Sequence, residues 1–212
     1  MKTLLQAMHQ DLRASSSGIA VIEFALAMPL LILMTFGGLE LANFVLAHMR
    51  ISQIAITVAD NAGRARTGID ESNIYEVFAG ANLIGESIDF ANNGRIVLSS
   101  LQPNGLIDAN AGQMINWQRC YGRLAVSPSY GREGAGRTDA SLSAGMGSNG
   151  NKITSASGTA VMFVEVTYRY EPAFFSAISN LAGNIRYESA FNVRERTNQN
   201  ITNTQRLTVN SC

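Results

Sequence analysis

The sequence predicts an α+β protein: a long N-terminal helix, first transmembrane and then amphipathic, packed on a small antiparallel β-sheet domain. Three observations predict it. Residues 18–39 are apolar with a single ionisable side chain, Glu23. From Phe44 to Ala65 apolar residues recur at helical spacing. Beyond residue 94, short runs alternate β-branched or aromatic residues with polar ones.

The first segment has the length of a membrane span. As a helix, Gly18–Leu39 rises about 33 Å, enough to cross a hydrocarbon core of about 30 Å. A carboxylate inside such a segment is costly without a partner, so Glu23 is a functional candidate. Pro29 removes one helical backbone bond and is expected to kink the span. Ser15, Ser16, Ser17 and Gly18 form a small polar hinge before it. The leader carries Lys2 and Arg13 against Arg50 beyond the span, a modest positive-inside signal for a cytoplasmic N-terminus. Ala25-Leu26-Ala27 has the small-x-small form of a signal-peptidase site, but cleavage there leaves most of the apolar run intact. Gly37 and Gly38, with Ala27, Thr35 and Ala42, offer small surfaces for helix contact, or are simply tolerated as glycines in a membrane helix. Glu40 is read as the outer membrane boundary.

The helix continues through residues 40–68. Phe44, Ala47, Ile51, Ala55, Val58, Ala62 and Ala65 form one stripe, while Asn43, Arg50, Gln53, Thr57, Asp60 and Arg64 take another face. Arg64 and Arg66 are placed in its last turn and Gly68 at its stop. Asp70-Glu71-Ser72 starts a second helix, in which Ile74, Phe78, Ala81 and Ile84 share a face up to Gly85. Arg95–Leu101 reads as a strand after the turn pair Asn93-Gly94. Ala160–Tyr170 and Ile185–Arg194 read as neighbouring antiparallel strands, with a short helical turn over Phe174–Leu181 between them. Residues 131–158, rich in Gly, Ser and Asn, read as a long exposed loop. Residues 195–212 read as a polar, poorly ordered tail apart from Cys212.

Composition excludes several classes. Formal net charge is zero, so the general electrostatic case for nucleic acid is absent. His9 and His48 lie in the leader and beside the membrane, which argues against a His-based metal site. No nucleophile elbow, phosphate loop or Cys–His pair is present, and Gly131, Gly134 and Gly136 lack the strand–turn–helix context of a nucleotide fingerprint. Glu165 and Glu188, with Arg169 and Arg186, read as ion pairs on a solvated strand face. The expectation is therefore no enzyme, no metal, no cofactor and no small-molecule substrate. Cys120 and Cys212 suggest one disulfide in an oxidising compartment, the alternative being two free thiols. Trp117 and Tyr121 flank Cys120 as a small satellite core.

A short leader ending in Gly18, then an apolar helix with glutamate at its fifth position and an aromatic beside it, is similar to prepilins cut by a prepilin peptidase. The string Gly18-x4-Glu23-Phe24-Ala25-Leu26-x2-Pro29-Leu30-Leu31, then Phe36-Gly37-x2-Glu40, and later Ala59-x2-Ala62-Gly63-x-Ala65-Arg66, resembles the TadE-like family of minor pseudopilins of the Flp pilus and its Tad (tight adherence) machinery. The resemblance is strongest over residues 15–66. It implies a single-pass inner-membrane protein of a bacterium, acting in pilus biogenesis and surface adherence. The organisation expected is a prepilin-type leader (1–18), a transmembrane helix (19–39), its continuation (40–68) and a periplasmic α+β domain (69–212). The implied partners are the prepilin peptidase, other pseudopilins or pilin, the inner-membrane assembly platform and the membrane itself.

The motif has a physical reading. Gly18 has no side chain, so a protease can approach the Gly18–Ile19 bond closely. Cleavage frees an ammonium on Ile19, one turn from Glu23 and Phe24, and the Glu23 carboxylate of one subunit can pair with the Ile19 ammonium of a neighbour. Alternatively, Glu23 snorkels to the headgroups. The runner-up is an uncleaved, permanently anchored scaffold or adhesin-like binding module.

Overall fold

The structure, a computed structural model, describes residues 16–148, 150–174 and 183–212. The leader up to residue 15 and most of the turn expected over Phe174–Leu181 lie outside the described residues.

Helix α1, Ser16–Gly63, runs for 48 residues with Pro29 inside it, a length of about 72 Å. The helix is already formed at Ser16, so Gly18 sits in its first turn rather than in a hinge. Its far half behaves as the periodicity predicts: Ala47, Ile51, Ala55, Val58 and Ala62 are buried, joined by Ile54 and Ala59. It ends at Gly63, five residues before Gly68, and no basic residue occupies its last turn. The cause is tertiary. The Gly63 carbonyl accepts the Arg194 N–H at 3.2 Å, and a side chain at Gly63 would press on the Asn192 carbonyl. Arg64 instead pairs with Asp60 at 2.7 Å, one turn back.

Strand β1, Ile69–Asp70, leads into helix α2, Glu71–Gly85. Asp70 caps α2: its carboxylate accepts from the Ser72 N–H, and Asn73 Oδ1 accepts from the Asp70 N–H at 3.0 Å. This reciprocal pair is a capping box and explains why the helix starts where the sequence places it. A short helix α3, Phe90–Asn93, then delivers the chain into β2, Gly94–Pro103. Asn93-Gly94 is thus a helix-to-strand corner and not a hairpin turn. Strands β3 (Gln113–Tyr121), β4 (Val161–Arg169) and β5 (Asn184–Asn192) complete an antiparallel sheet in the order β3-β2-β4-β5.

Helices α1 and α2 cover one face of the sheet. Ile96, Leu98, Met162, Val164, Val166 and Ile185 meet them there. Residues 131–158, expected to be an exposed loop, instead fold across the other face. Leu142 and Met146 are buried there against Leu101, Ile115, Val161 and Phe163. Burial on both faces is why β4 has only its last residue exposed. Strand β3 was not expected. Its register shifts against β2 at Ser100/Leu101, so that Ser100 faces Trp117 and Leu101 faces Ile115. The extra residue, Asn116, sends two side chains of the same parity to opposite faces. Trp117 therefore belongs to the main core rather than to a satellite around the disulfide.

The tail is also ordered. Strand β6, Ile201–Thr202, pairs in parallel with β1. Thr202 Oγ1 and the Thr204 N–H donate to Asp70 at 2.7 and 2.9 Å. Tyr75 donates to the Thr208 carbonyl, and the Cys120 N–H to the Asn210 carbonyl. Polar composition misled here because the tail is held by backbone bonds to an open strand edge, which leave no trace in hydropathy.

Candidate functional site

The site residues named from the motif all lie on the first half of α1. Gly18, Ile19, Glu23, Phe24 and Pro29 are exposed, and a side chain at Gly18 would meet nothing. Ile19 and Glu23 stand four residues apart, which places them one above the other on one helix face. Among the described residues Glu23 has no hydrogen-bond or ion-pair partner. The structure separates this group from the sheet domain.

The domain begins at Glu40. This residue is not a free boundary charge. Its side chain is buried, accepting from the Tyr170 hydroxyl at 2.5 Å and the Phe174 N–H at 2.9 Å. The Tyr170 ring meets Phe44 edge-on at 5.1 Å, and Phe36 meets Phe174 at the same centroid distance. Burial, and then the bond to Glu40, push the Tyr170 hydroxyl well above its ordinary value. A buried carboxylate with two donors ties α1 to the end of β4, directly above the apolar span.

Past Glu40 one side of α1 stays bare and apolar. Leu41, Val45, Met49 and Ile56 are all about half exposed or more. Phe44, His48, Met49, Ile56 and Tyr187 line an open groove of ≈ 640 Å³ on this side. His48 Nδ1 and the Tyr187 hydroxyl are in hydrogen-bonding contact at 3.2 Å. The sequence reading missed this stripe, although Leu41, Val45, Met49 and Ile56 already have a period near four.

The Glu165–Glu188 group does not lie on a solvated strand face as expected. The two carboxylates face each other across β4 and β5. Arg186 bridges them at 2.7 Å to each, while Arg169 pairs with Glu171 instead. Glu165 is buried, not solvated: burial pushes its carboxyl up, and the bonds from Ser129 and the charge of Arg186 only partly oppose this. Burial also pushes the Glu188 carboxyl up, but bonds from Tyr130, Arg186 and Ser148 outweigh it and hold it below its usual range. Tyr130 is raised to about 12 by burial and by Glu188. Every oxygen of both carboxylates has a donor. The cluster fastens the 122–160 segment to the sheet. Arg119 does similar work at the other edge, joining Glu71 of α2 to Glu133 of the same segment.

The cysteines form a disulfide between β3 and the tail, Cys120–Cys212, with Cα atoms 5.1 Å apart. Among the described residues no group of three or more His, Cys, Asp or Glu side chains is arranged to hold a metal.

The family model described as TadE-like protein matches residues 18–60. The segment is TadE-like. The match opens on Gly18, takes in Glu23, Phe24, Pro29 and Glu40, and closes near the end of α1. It implies a Tad pilus-associated protein with a membrane-associated helix. No curated protein and no solved structure matches the chain.

Proposed function

We propose that the protein is a minor pseudopilin or assembly factor of a Tad/Flp-type pilus, acting in pilus biogenesis and surface adherence. In this reading α1 crosses the bacterial inner membrane once. The N-terminus is cytoplasmic and the sheet domain is periplasmic, where an oxidising environment maintains Cys120–Cys212. Prepilin peptidase cuts between Gly18 and Ile19, so the chain is a substrate and not a catalyst. Its further partners are other pseudopilins or pilin and the inner-membrane assembly platform.

The observation that carries the reading is that the TadE-like match begins at Gly18, with Glu23 exposed on an apolar helix and without a partner among the described residues. A lone carboxylate at that depth is stabilised by a cation brought by another molecule, and the freed Ile19 ammonium of a neighbouring subunit has the right charge and depth. The bare stripe from Leu41 to Ile56 supports helix-to-helix assembly as well. It extends the exposed apolar surface of α1 well beyond what a bilayer of about 30 Å covers.

The test is the N-terminal sequence of the protein recovered from membranes with and without the native peptidase. The expected result is a terminus at Ile19 only when the peptidase is present, and lost in Gly18→Val. An original terminus in both backgrounds overturns processing and leaves the second reading, an uncleaved anchored scaffold or adhesin-like module. One observation favours that second reading: α1 is helical through the Gly18–Ile19 bond.

A further inference from the structure

A cluster of three arginines lies at one end of the sheet, beside the Cys120–Cys212 disulfide. Arg95, Arg123 and Arg132 line a single cavity of ≈ 250 Å³, walled by Ser127, Pro128 and Cys212. Among the described residues none of the three forms an ion pair with a carboxylate. Arg95 donates to the Gly122 carbonyl at 2.8 Å, and its Nε–H is buried without an acceptor. Arg123 donates to the Asn92 side chain, which in turn donates to both oxygens of Asp89. Burial lowers the affinity of Arg95 for its proton. Three arginines around one cavity, none of them in an ion pair among the described residues, are an arrangement that an incoming anion stabilises.

The fold says where this cavity points. Glu40, the first buried residue past the apolar span, is held by Tyr170 at the end of β4. Gly94 pairs with Tyr168 and Arg95 with Thr167, while Tyr121 pairs with Ile96. The start of β2, the end of β3 and the turn that follows therefore lie at the same end of the sheet as Glu40. Gly122 makes that turn with φ +95°, and a Cβ there would collide with the Gly94 carbonyl. This close approach brings Arg123 alongside Arg95. With Gly18–Leu39 spanning the bilayer, this end faces the headgroups.

We propose that Arg95, Arg123 and Arg132 form a phosphate-binding site for an anionic phospholipid headgroup on the membrane surface from which the domain emerges. The site sets the domain's orientation on the bilayer. It rests on the anchoring of α1 proposed above. The shared chemistry is a phosphate group, and the placement at the Glu40 end assigns it to a lipid rather than to a free ion.

The test uses the full chain in nanodiscs of phosphatidylcholine alone or with one-third phosphatidylglycerol, followed by amide hydrogen exchange. The Arg123 and Leu124 amides, which bond to the Ala91 and Gly94 carbonyls, report directly on the turn. Their exchange is expected to slow by about tenfold in the anionic discs, because binding stabilises the closed form. The double variant Arg123→Gln/Arg132→Gln is expected to remove the difference, and Arg123→Lys/Arg132→Lys to restore most of it. Arg137→Gln, whose guanidinium reaches the Asn116 carbonyl near the start of β3, is expected to leave it unchanged. Unaltered β4 exchange in each variant shows that the fold is intact. Equal exchange in both discs overturns the site. Equal slowing by inorganic phosphate in phosphatidylcholine discs overturns the lipid assignment, as does a difference that survives the double Gln variant. A chain that enters neither disc overturns the anchor reading, and the headgroup site with it.

Discussion

Cys212→Ser removes a crosslink that joins β3 to a residue 92 positions along the chain. A closed loop of that length restricts the unfolded chain by about 4.6 kcal/mol at 25 °C in the chain-entropy account of crosslinks. The contacts of the tail with Asp70, Tyr75 and the Cys120 N–H survive the substitution, so nearly all of the loss is expected through the unfolded state. The assay is guanidinium unfolding of the full chain in neutral detergent. It is followed by the single tryptophan, Trp117, which is 2% exposed and donates to the Gln199 carbonyl of the tail. With a denaturant slope of about 4 kcal/mol per molar, the midpoint is expected to fall by about 1 M. Reduction of the wild-type protein is expected to give the same fall. A shift below about 0.3 M in both cases refutes the loop-closure reasoning. A Cys120→Ser loss far above that of Cys212→Ser would place the energy in packing around Cys120 instead.

Two further outcomes follow from the geometry. Tyr170→Phe leaves buried Glu40 with only the Phe174 N–H, and the loss of a charge-assisted bond is expected to cost about 1.5–3 kcal/mol; the same unfolding assay reads it, and an unchanged midpoint refutes it. Bonds from the Thr204 and Ser72 N–H groups hold the Asp70 carboxyl far below its ordinary value. Its contribution is present above the ordinary carboxylate range and is lost progressively as pH falls from that range through the depressed value. Exchange of the Thr204 amide, corrected for its intrinsic rate, is expected to show opening that grows steadily as pH falls below about 4, and Asp70→Asn to abolish that acid dependence; a flat profile in the wild-type protein refutes it.

The helical half of the fold was legible because its signals are local. The stripe from Ala47 to Ala62 repeats every turn, and the α2 start is written in Asp70, Ser72 and Asn73 within four residues. Strands β4 and β5 were legible for the same reason. What escaped depends on distant partners. Strand β3 carries a bulge at Asn116 that breaks its alternation. The Gly- and Ser-rich 131–158 segment gives up only Leu142 and Met146 to the core, too few to register as a pattern. Glu40 read as a boundary charge because Tyr170 and Phe174 are some 130 residues away. At the candidate site, the spacing of Gly18, Glu23 and Phe24 was visible in the sequence. The arginine cavity was not, since Arg95 and Arg123 meet only through the β2–β3 register.

The shared core has a mechanical consequence. Ala47 to Ala62 of α1 supply much of the packing that covers the inner face of the sheet, and no flexible tether intervenes between anchor and domain. Tension drawn along the helix is delivered into the hydrophobic core itself. The helix and the sheet domain must travel as one stiff lever, so any turn or lift of the helix in the membrane is transmitted undamped to the surface the domain presents.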